Sequence, residues 1–328
     1  MKITENMLDP QLRSKYGLIK AVTFFGTKIW WVRLVNFLMR ALKGKVIKEL
    51  DCSERYIKSR SGGPDIRIRI FKPINHQGKL PGMVHFYGGG YKIGLPEISL
   101  ETIKAFIEAR PCVVIAPDYR RSLDNPFPAG FNDSYDTLLW VKENAASLGV
   151  FEDQFILEGE SAGGGMTSAV ALKARDTKDV KIAFQMPIYP MIDDRQITES
   201  SKIMTLGPWD REANNNGWEL YLRDLKKNKQ EIPSYAAPAR NEDYTGFPPT
   251  ITYVGTLEPF RDETIAYVDS LKKAGIPVEF QLFEGCFHGF DVIVPGADVS
   301  KKATEFKLNT YRRYYDTYFP QLSPAQKD

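Results

Sequence analysis

The residues best suited to chemistry are Gly159-Glu160-Ser161-Ala162-Gly163, a serine with a glycine two positions to either side. The pentapeptide follows a short apolar run, Phe155 to Leu157, and opens an amphipathic run, Gly163 to Ala174. That spacing predicts a strand, a sharp turn and a helix. Such a turn lifts the serine Oγ above a sheet, and Cβ atoms at Gly159 and Gly163 would collide with the flanking strand and helix. A hydroxyl is a weak nucleophile until a base accepts its proton. Of three histidines, His76 lies in the polar stretch Pro73 to Lys79 and His85 inside a predicted buried strand, and only His288 follows Ser161. His288 comes just after the run Val278 to Phe283, where a loop at the carboxyl edge of a sheet would carry it.

An imidazole base needs an acid to hold its tautomer and stabilise the imidazolium. The run Thr250 to Val254 leads into Glu258, the first acid past the predicted strand end, and then Asp262. Glu258 is the chosen acid. Asp262 is its rival, although at the start of a predicted helix a carboxylate often serves to cap N–H groups. Attack on a carbonyl creates an oxyanion, and each fixed N–H donor aimed at it is worth about 3 kcal/mol. Tyr87-Gly88-Gly89-Gly90 follows the run Met83 to Phe86, so the backbone N–H groups of Gly88 and Gly89, with that of Ala162, are the candidate donors. No Lys-Ser/Thr follows these glycines, which argues against a nucleotide-binding loop.

These residues need a scaffold. Short continuous apolar runs at 83–86, 112–116, 155–157, 182–186, 250–254 and 278–283 suit strands buried on both faces. Helical periodicity at Ser134–Leu148, Gly163–Ala174 and Glu263–Ala274 alternates with them, predicting an α/β fold with a mostly parallel, doubly covered sheet. Asp65 to Phe71 alternates Ile66, Ile68 and Ile70 with Arg67 and Arg69, the pattern of a half-buried strand in an antiparallel edge region. The segments before about Leu50 and from Asp193 to about Ala236 read as helical and fall outside the alternation. The second, with Trp209, Trp218, Tyr221 and Leu222, reads as an inserted lid.

Composition narrows the function class. With 43% hydrophobic residues in 328, the chain can bury a large core. Lys plus Arg number 44 against 41 Asp plus Glu, a net charge of +3, too weak a field to select nucleic acid. No charge-free stretch reaches the ~18 residues of a spanning helix. Three widely spaced cysteines and a charged N-terminus without a secretory pattern point to a cytoplasmic protein.

Together, Val84-His85-Phe86-Tyr87-Gly88-Gly89-Gly90-Tyr91, Asp118-Tyr119-Arg120, Pro126-Phe127-Pro128-Ala129, Gly159 to Gly163, Glu258 to Glu263 and His288-Gly289-Phe290 resemble the hormone-sensitive-lipase-like esterases of the α/β-hydrolase fold, over about Leu80 to His288. The resemblance implies a helical cap made of residues 1–45 and an insertion at 193–236, over a core of 46–192 and 237–328. It implies a serine carboxylesterase with Ser161, His288 and Glu258 as triad, Gly88, Gly89 and Ala162 as oxyanion hole, and no cofactor or metal. The bulky aromatics of this two-part cap, Trp30, Trp31, Trp209 and Trp218, are expected near the pocket and to make it shallow, which favours short to medium acyl esters. The sequence departs from the family pattern at Tyr87, where the oxyanion motif usually has histidine, and at Glu160 and Glu258, which replace the usual aspartates. Because the missing histidine supports the loop without touching substrate, the hole is expected to survive with altered rigidity.

The expected partner is a small-molecule ester, and a homodimer is left open. Two other readings compete. One is a catalytically silent ligand-binding protein, against which the presence of His288 argues. The other is membrane-surface association through Gly17 to Lys43, where Phe24, Phe25, Trp30, Trp31, Phe37 and Leu38 are interspersed with Lys20, Lys28, Arg33 and Arg40. The favoured alternative has these aromatics lining a cap over the acyl pocket.

Overall fold

A computed structural model describes residues 4–15, 27–203 and 208–322, so Gly17, Lys20, Phe24 and Phe25 lie outside the described residues. Eight strands form one sheet: β1 (Leu50–Ile57), β2 (Ile66–Pro73), β3 (Gly82–Phe86), β4 (Val113–Pro117), β5 (Phe155–Glu160), β6 (Ile182–Ile188), β7 (Thr250–Gly255) and β8 (Val278–Phe283). Their spatial order is β1-β2-β4-β3-β5-β6-β7-β8. β2 pairs antiparallel with β1 and β4, and every other pairing is parallel. The chain runs outward from β3 to β4 and then returns to place β5 on the other side of β3. Open α/β sheets bind ligands at such a switch, outside the carboxyl ends of the strands.

Among the described residues the helices are α1 (Ile29–Met39), α2 (Leu100–Ala109), α3 (Ala129–Glu143), α4 (Ala145–Leu148), α5 (Ala162–Thr177), α6 (Arg211–Tyr221), α7 (Arg223–Lys227), α8 (Arg261–Lys273), α9 (Phe290–Ile293) and α10 (Asp298–Tyr318). Strand residues alternate between two cores. Val84, Phe86, Ile115, Phe155 and Leu157 pack under α3 and α5, whereas Met83, Val114, Ala116, Ile156 and Phe184 pack under α2 and α10. Burying each large aliphatic side chain stabilises by about 1.5–3 kcal/mol, so both covers are strongly held.

Four expectations are corrected. β2 is not half-exposed: Arg67 and Arg69 are buried, because the 3₁₀ turn Pro96–Ser99 covers that face and Glu97 pairs with both guanidiniums. β8 is not buried on both faces, since it is the sheet edge with β7 as its one neighbour, and Gln281 and Leu282 are exposed. The predicted helix from Ser134 starts at Ala129 and breaks at Asn144. The segment from Asp193 is helical only at α6, α7 and the 3₁₀ turn Ser200–Lys202, and is otherwise irregular where described. Among the described residues, no helix is long and apolar enough to cross a membrane.

Candidate active site

Ser161 sits between β5 and α5 with φ +59° and ψ −120°, a positive-φ conformation costly for a residue with a Cβ. The turn is over-determined. Ser161 N donates to Ile188 O at 2.9 Å, and Ser161 O accepts from Gly165 N at 2.9 Å and Met191 N at 3.0 Å. A Cβ at Gly163 would lie 1.9 Å from Phe86 O, and one at Gly159 would lie 2.4 Å from Gly163 O. The glycines therefore allow α5 to start directly against β3, which puts Ser161 at the switch between β3 and β5.

The loops after β7 and β8 bring the other two residues. Thr256 N donates to Phe283 O and Leu257 N to Cys286 O, both at 2.9 Å, tying the two loops together. His288 Nε2 lies 2.8 Å from Ser161 Oγ, and His288 Nδ1 lies 2.5 Å from Glu258 Oε2. Glu258 Oε1 accepts from Gly255 N at 3.1 Å, so the acid is held by its own turn. All three residues are buried. Asp262 lies elsewhere: on the first turn of α8 it accepts from Ser200 N at 2.8 Å and Arg261 Nε at 2.7 Å. His76 is exposed, and His85 is hydrogen-bonded to Glu158 inside the sheet.

The glycine loop after β3 faces the serine. A Cβ at Gly88 would stand 3.4 Å from Ser161 Cβ, and Gly89 has φ +123°. Gly89 O accepts from Lys92 N at 3.2 Å and Ile93 N at 3.0 Å, which turns that carbonyl into the loop. Tyr87, at the place where the family pattern has histidine, anchors the loop: its hydroxyl donates to Tyr119 O at 3.0 Å, Tyr119 returns the bond to Tyr87 O at 2.7 Å, and the rings stack at 4.2 Å. Burial pushes both phenols well above their ordinary range, so they remain neutral donors. From α1, Asn36 Nδ2 donates to Lys92 O at 2.9 Å, and its Oδ1 accepts from Gly94 N at 3.2 Å.

A cavity of about 270 Å³ opens over Ser161, lined by Gly88 to Gly90, Glu160, Tyr189, Trp209, His288, Val292 and Ile293 among others. Several of these were not foreseen. Tyr189 and Phe260 meet the His288 ring edge-on at 5.0 and 4.9 Å, fixing its plane; Phe260 lies within the Glu258 to Glu263 motif, whereas Tyr189 carries no local sequence signal. Of the aromatics expected at the pocket, Trp209 lines it, while Trp218 is buried beside Tyr91 and Tyr221 and Trp30 is exposed. Among the described residues, no cluster of His, Cys, Asp and Glu is arranged to hold a metal ion.

The arrangement suits acyl transfer, and comparison with known proteins agrees. A family model described as alpha/beta hydrolase fold matches residues 83–292. The chain belongs to the α/β-hydrolase family, within its hormone-sensitive-lipase-like branch. It is 30% identical over 299 residues to the carboxylesterase NlhH of Mycobacterium tuberculosis, covering 88% of this chain and 92% of that one. It is 28% identical over 288 residues to an arylesterase of Saccharolobus solfataricus, covering 86% and 92%. Among solved structures, a bacterial heroin esterase superposes with a TM-score of 0.86 at 31% identity, covering 95% of this chain and 99% of that one.

Proposed function

We propose that the chain is a serine carboxylesterase in which Ser161, His288 and Glu258 form the triad and the backbone N–H groups of Gly88, Gly89 and Ala162 form the oxyanion hole. That it is a carboxylic ester hydrolase follows from its family and from relatives that are named carboxylesterase and arylesterase. The observation that carries the triad is the continuous hydrogen-bonded line from Ser161 Oγ through the imidazole to Glu258.

Ser161 Oγ attacks the ester carbonyl while His288 Nε2 takes its proton. Glu258 stabilises the resulting imidazolium at Nδ1. The three N–H groups meet the negative charge that develops on the carbonyl oxygen, and the imidazolium then protonates the leaving alcohol. Water, activated by the same imidazole, releases the acid from the acyl-enzyme. No step needs a cofactor.

The cavity sits just below the range usual for drug-sized ligands, ~300–1,000 Å³, which supports short to medium acyl esters as substrates. The bulky Trp209 ring closes one side: a Cβ on Gly90 would lie 2.0 Å from it. Each methylene that fits contributes ~0.8 kcal/mol, so kcat/KM on p-nitrophenyl esters is expected to climb over the first few carbons and then fall. A series still rising at about sixteen carbons would refute a shallow pocket. We assign residues 1–45 and 193–236 to the cap, on the strength of the Asn36 contacts to the glycine loop and the position of Trp209 over the serine. A cytoplasmic location belongs to the same proposal and rests on cysteine usage, with Cys52, Cys112 and Cys286 all free thiols.

A second reading has one observation in its favour. On α1, Trp30, Phe37 and Leu38 are 57%, 64% and 60% exposed, beside the exposed Arg33 and Arg40, a surface suited to anionic lipid. Co-sedimentation with anionic vesicles that is lost in Trp30→Ser/Phe37→Ser supports it, and no binding by the full chain removes it.

A further inference from the structure

Beneath the nucleophile turn lies a buried set of charges that the triad does not use. Lys307, on α10, is buried, and its Nζ donates to Glu160 Oε1 at 3.0 Å while lying 5.7 Å from the Phe106 ring centroid. Glu160 immediately precedes Ser161 and lines the same cavity, and its Oε1 also accepts from the Thr102 hydroxyl at 3.4 Å. Around the pair stand His85 on β3 and Glu158 on β5, hydrogen-bonded to each other, and Asp291 on α9, which accepts from Tyr189 and Tyr253 at 3.1 and 2.6 Å. Burial works against both charges. Glu160, Asp291 and Glu158 nonetheless hold Lys307 well above the ordinary ammonium value, and Lys307 with His85 holds Glu160 below the usual carboxylate range. The pair is therefore ionised.

An anion next to the place where a second anion must form is a liability. The tetrahedral intermediate puts negative charge on the substrate's carbonyl oxygen, at the cavity wall that Glu160 shares with Ser161 and Gly88. In a poorly hydrated site an unbalanced carboxylate there would oppose that charge far more strongly than in water. We propose that Lys307 is a positioning residue for ester hydrolysis, acting through Glu160: it cancels and holds in place the negative charge nearest the nucleophile turn, so that the oxyanion forms unopposed. The inference rests on Ser161 being the nucleophile.

The test is kcat against pH for the wild type, Lys307→Met, Lys307→Gln and the double variant Lys307→Met/Glu160→Gln, beside fluorophosphonate labelling of the wild type. Loss of the ammonium removes the largest influence holding Glu160 down and leaves burial, which raises its pKa, opposed by His85 and the Thr102 hydroxyl. At alkaline pH Glu160 is then an unpaired anion and kcat is expected to fall ~10–100-fold, less than the loss of a direct oxyanion donor usually costs. Toward acid, Glu160 takes up a proton and the deficit shrinks, giving a descending limb that the wild type lacks. The double variant, with neither charge, should regain most of the lost rate and lose that limb. Lys307→Gln keeps a hydrogen-bond donor without the charge and should behave as Lys307→Met does, which keeps the test alive if the methionine variant fails to fold. A wild-type profile in Lys307→Gln or Lys307→Met, or a double variant no faster than the single, would overturn the proposal. If the wild type is not labelled at Ser161, the triad reading fails instead.

Discussion

Two buried carboxylates, Glu97 and Glu258, show how the same group is built for structure in one place and, in the proposed triad, for reaction in another. Glu97 is enclosed by permanent cations. Its Oε1 accepts from Arg69 Nη1 at 2.7 Å, from Gly44 N at 2.8 Å and from Arg67 Nη2, and its Oε2 accepts from Arg67 Nη1 at 3.3 Å. A guanidinium does not release its proton, so this cluster can only fasten the turn Pro96–Ser99 to β2. Glu258 has one backbone donor and one imidazole, and the far nitrogen of that imidazole reaches Ser161. Both acids are fully satisfied, and the decisive difference is whether the partner can carry a proton to something else.

The comparison breaks most visibly at the triad. Ser161→Ala and His288→Ala should each reduce ester hydrolysis by ~10⁴–10⁶-fold with the fold intact, because each removes a member of one unit. Retention of a tenth of the wild-type rate in either would contradict the assignment. Glu258→Gln should cost ~10⁴-fold in kcat, since an amide at Nδ1 favours the wrong histidine tautomer, whereas Asp262→Asn, away from His288, should stay within about tenfold. Kinetics on purified, equally folded variants decide between the two acids.

Glu97→Gln should give the opposite signature, a loss of stability rather than of rate. Removing the charge leaves the buried Arg69 without its carboxylate and Arg67 with Glu54 and Asp118 alone, which is expected to lower unfolding free energy by about 3–5 kcal/mol, while kcat of the folded fraction is little changed. Burial pushes the Glu97 carboxyl up, but hydrogen bonds from Arg67 and the Gly44 N–H prevail and hold it below its ordinary value of 4.5. Its contribution is therefore fully present above that value and lost as pH falls through the lower folded-state value. Acid unfolding of the wild type should carry this component, and Glu97→Gln should lack it. Smallest of all is Tyr87→Phe, which removes one hydroxyl from the loop anchor. About 0.5–1.5 kcal/mol of stability and a few-fold in kcat are expected, and an unchanged kcat would show that ring stacking with Tyr119 holds the loop unaided.

The triad candidates were legible because their signals are local. Ser161 lies in a glycine-bracketed strand-turn-helix, and His288 and Glu258 each follow an apolar run that ends in a loop. The parallel strands were legible for the same reason. What escaped depends on contacts distant in sequence. A period-two reading of β2 could not see that a turn some thirty residues later covers Arg67 and Arg69. Tyr189 and Phe260 become supports of His288 only through the packing of loops after β6 and β7. Trp218 shares composition with the pocket-lining Trp209, yet α6 turns it into the core beside Tyr91 and Tyr221. Lys307 lies on a helix full of polar residues and gains its meaning from Glu160, 147 positions away.

The central claim is that Ser161, activated through His288 by Glu258, is the atom acylated by substrate. Intact-mass analysis with peptide mapping after treatment with a fluorophosphonate tests it most directly. The account predicts a single adduct on the peptide containing Ser161, formed in step with loss of esterase activity and strongly slowed in His288→Ala. An adduct on another residue, or full activity surviving complete labelling of Ser161, would contradict it.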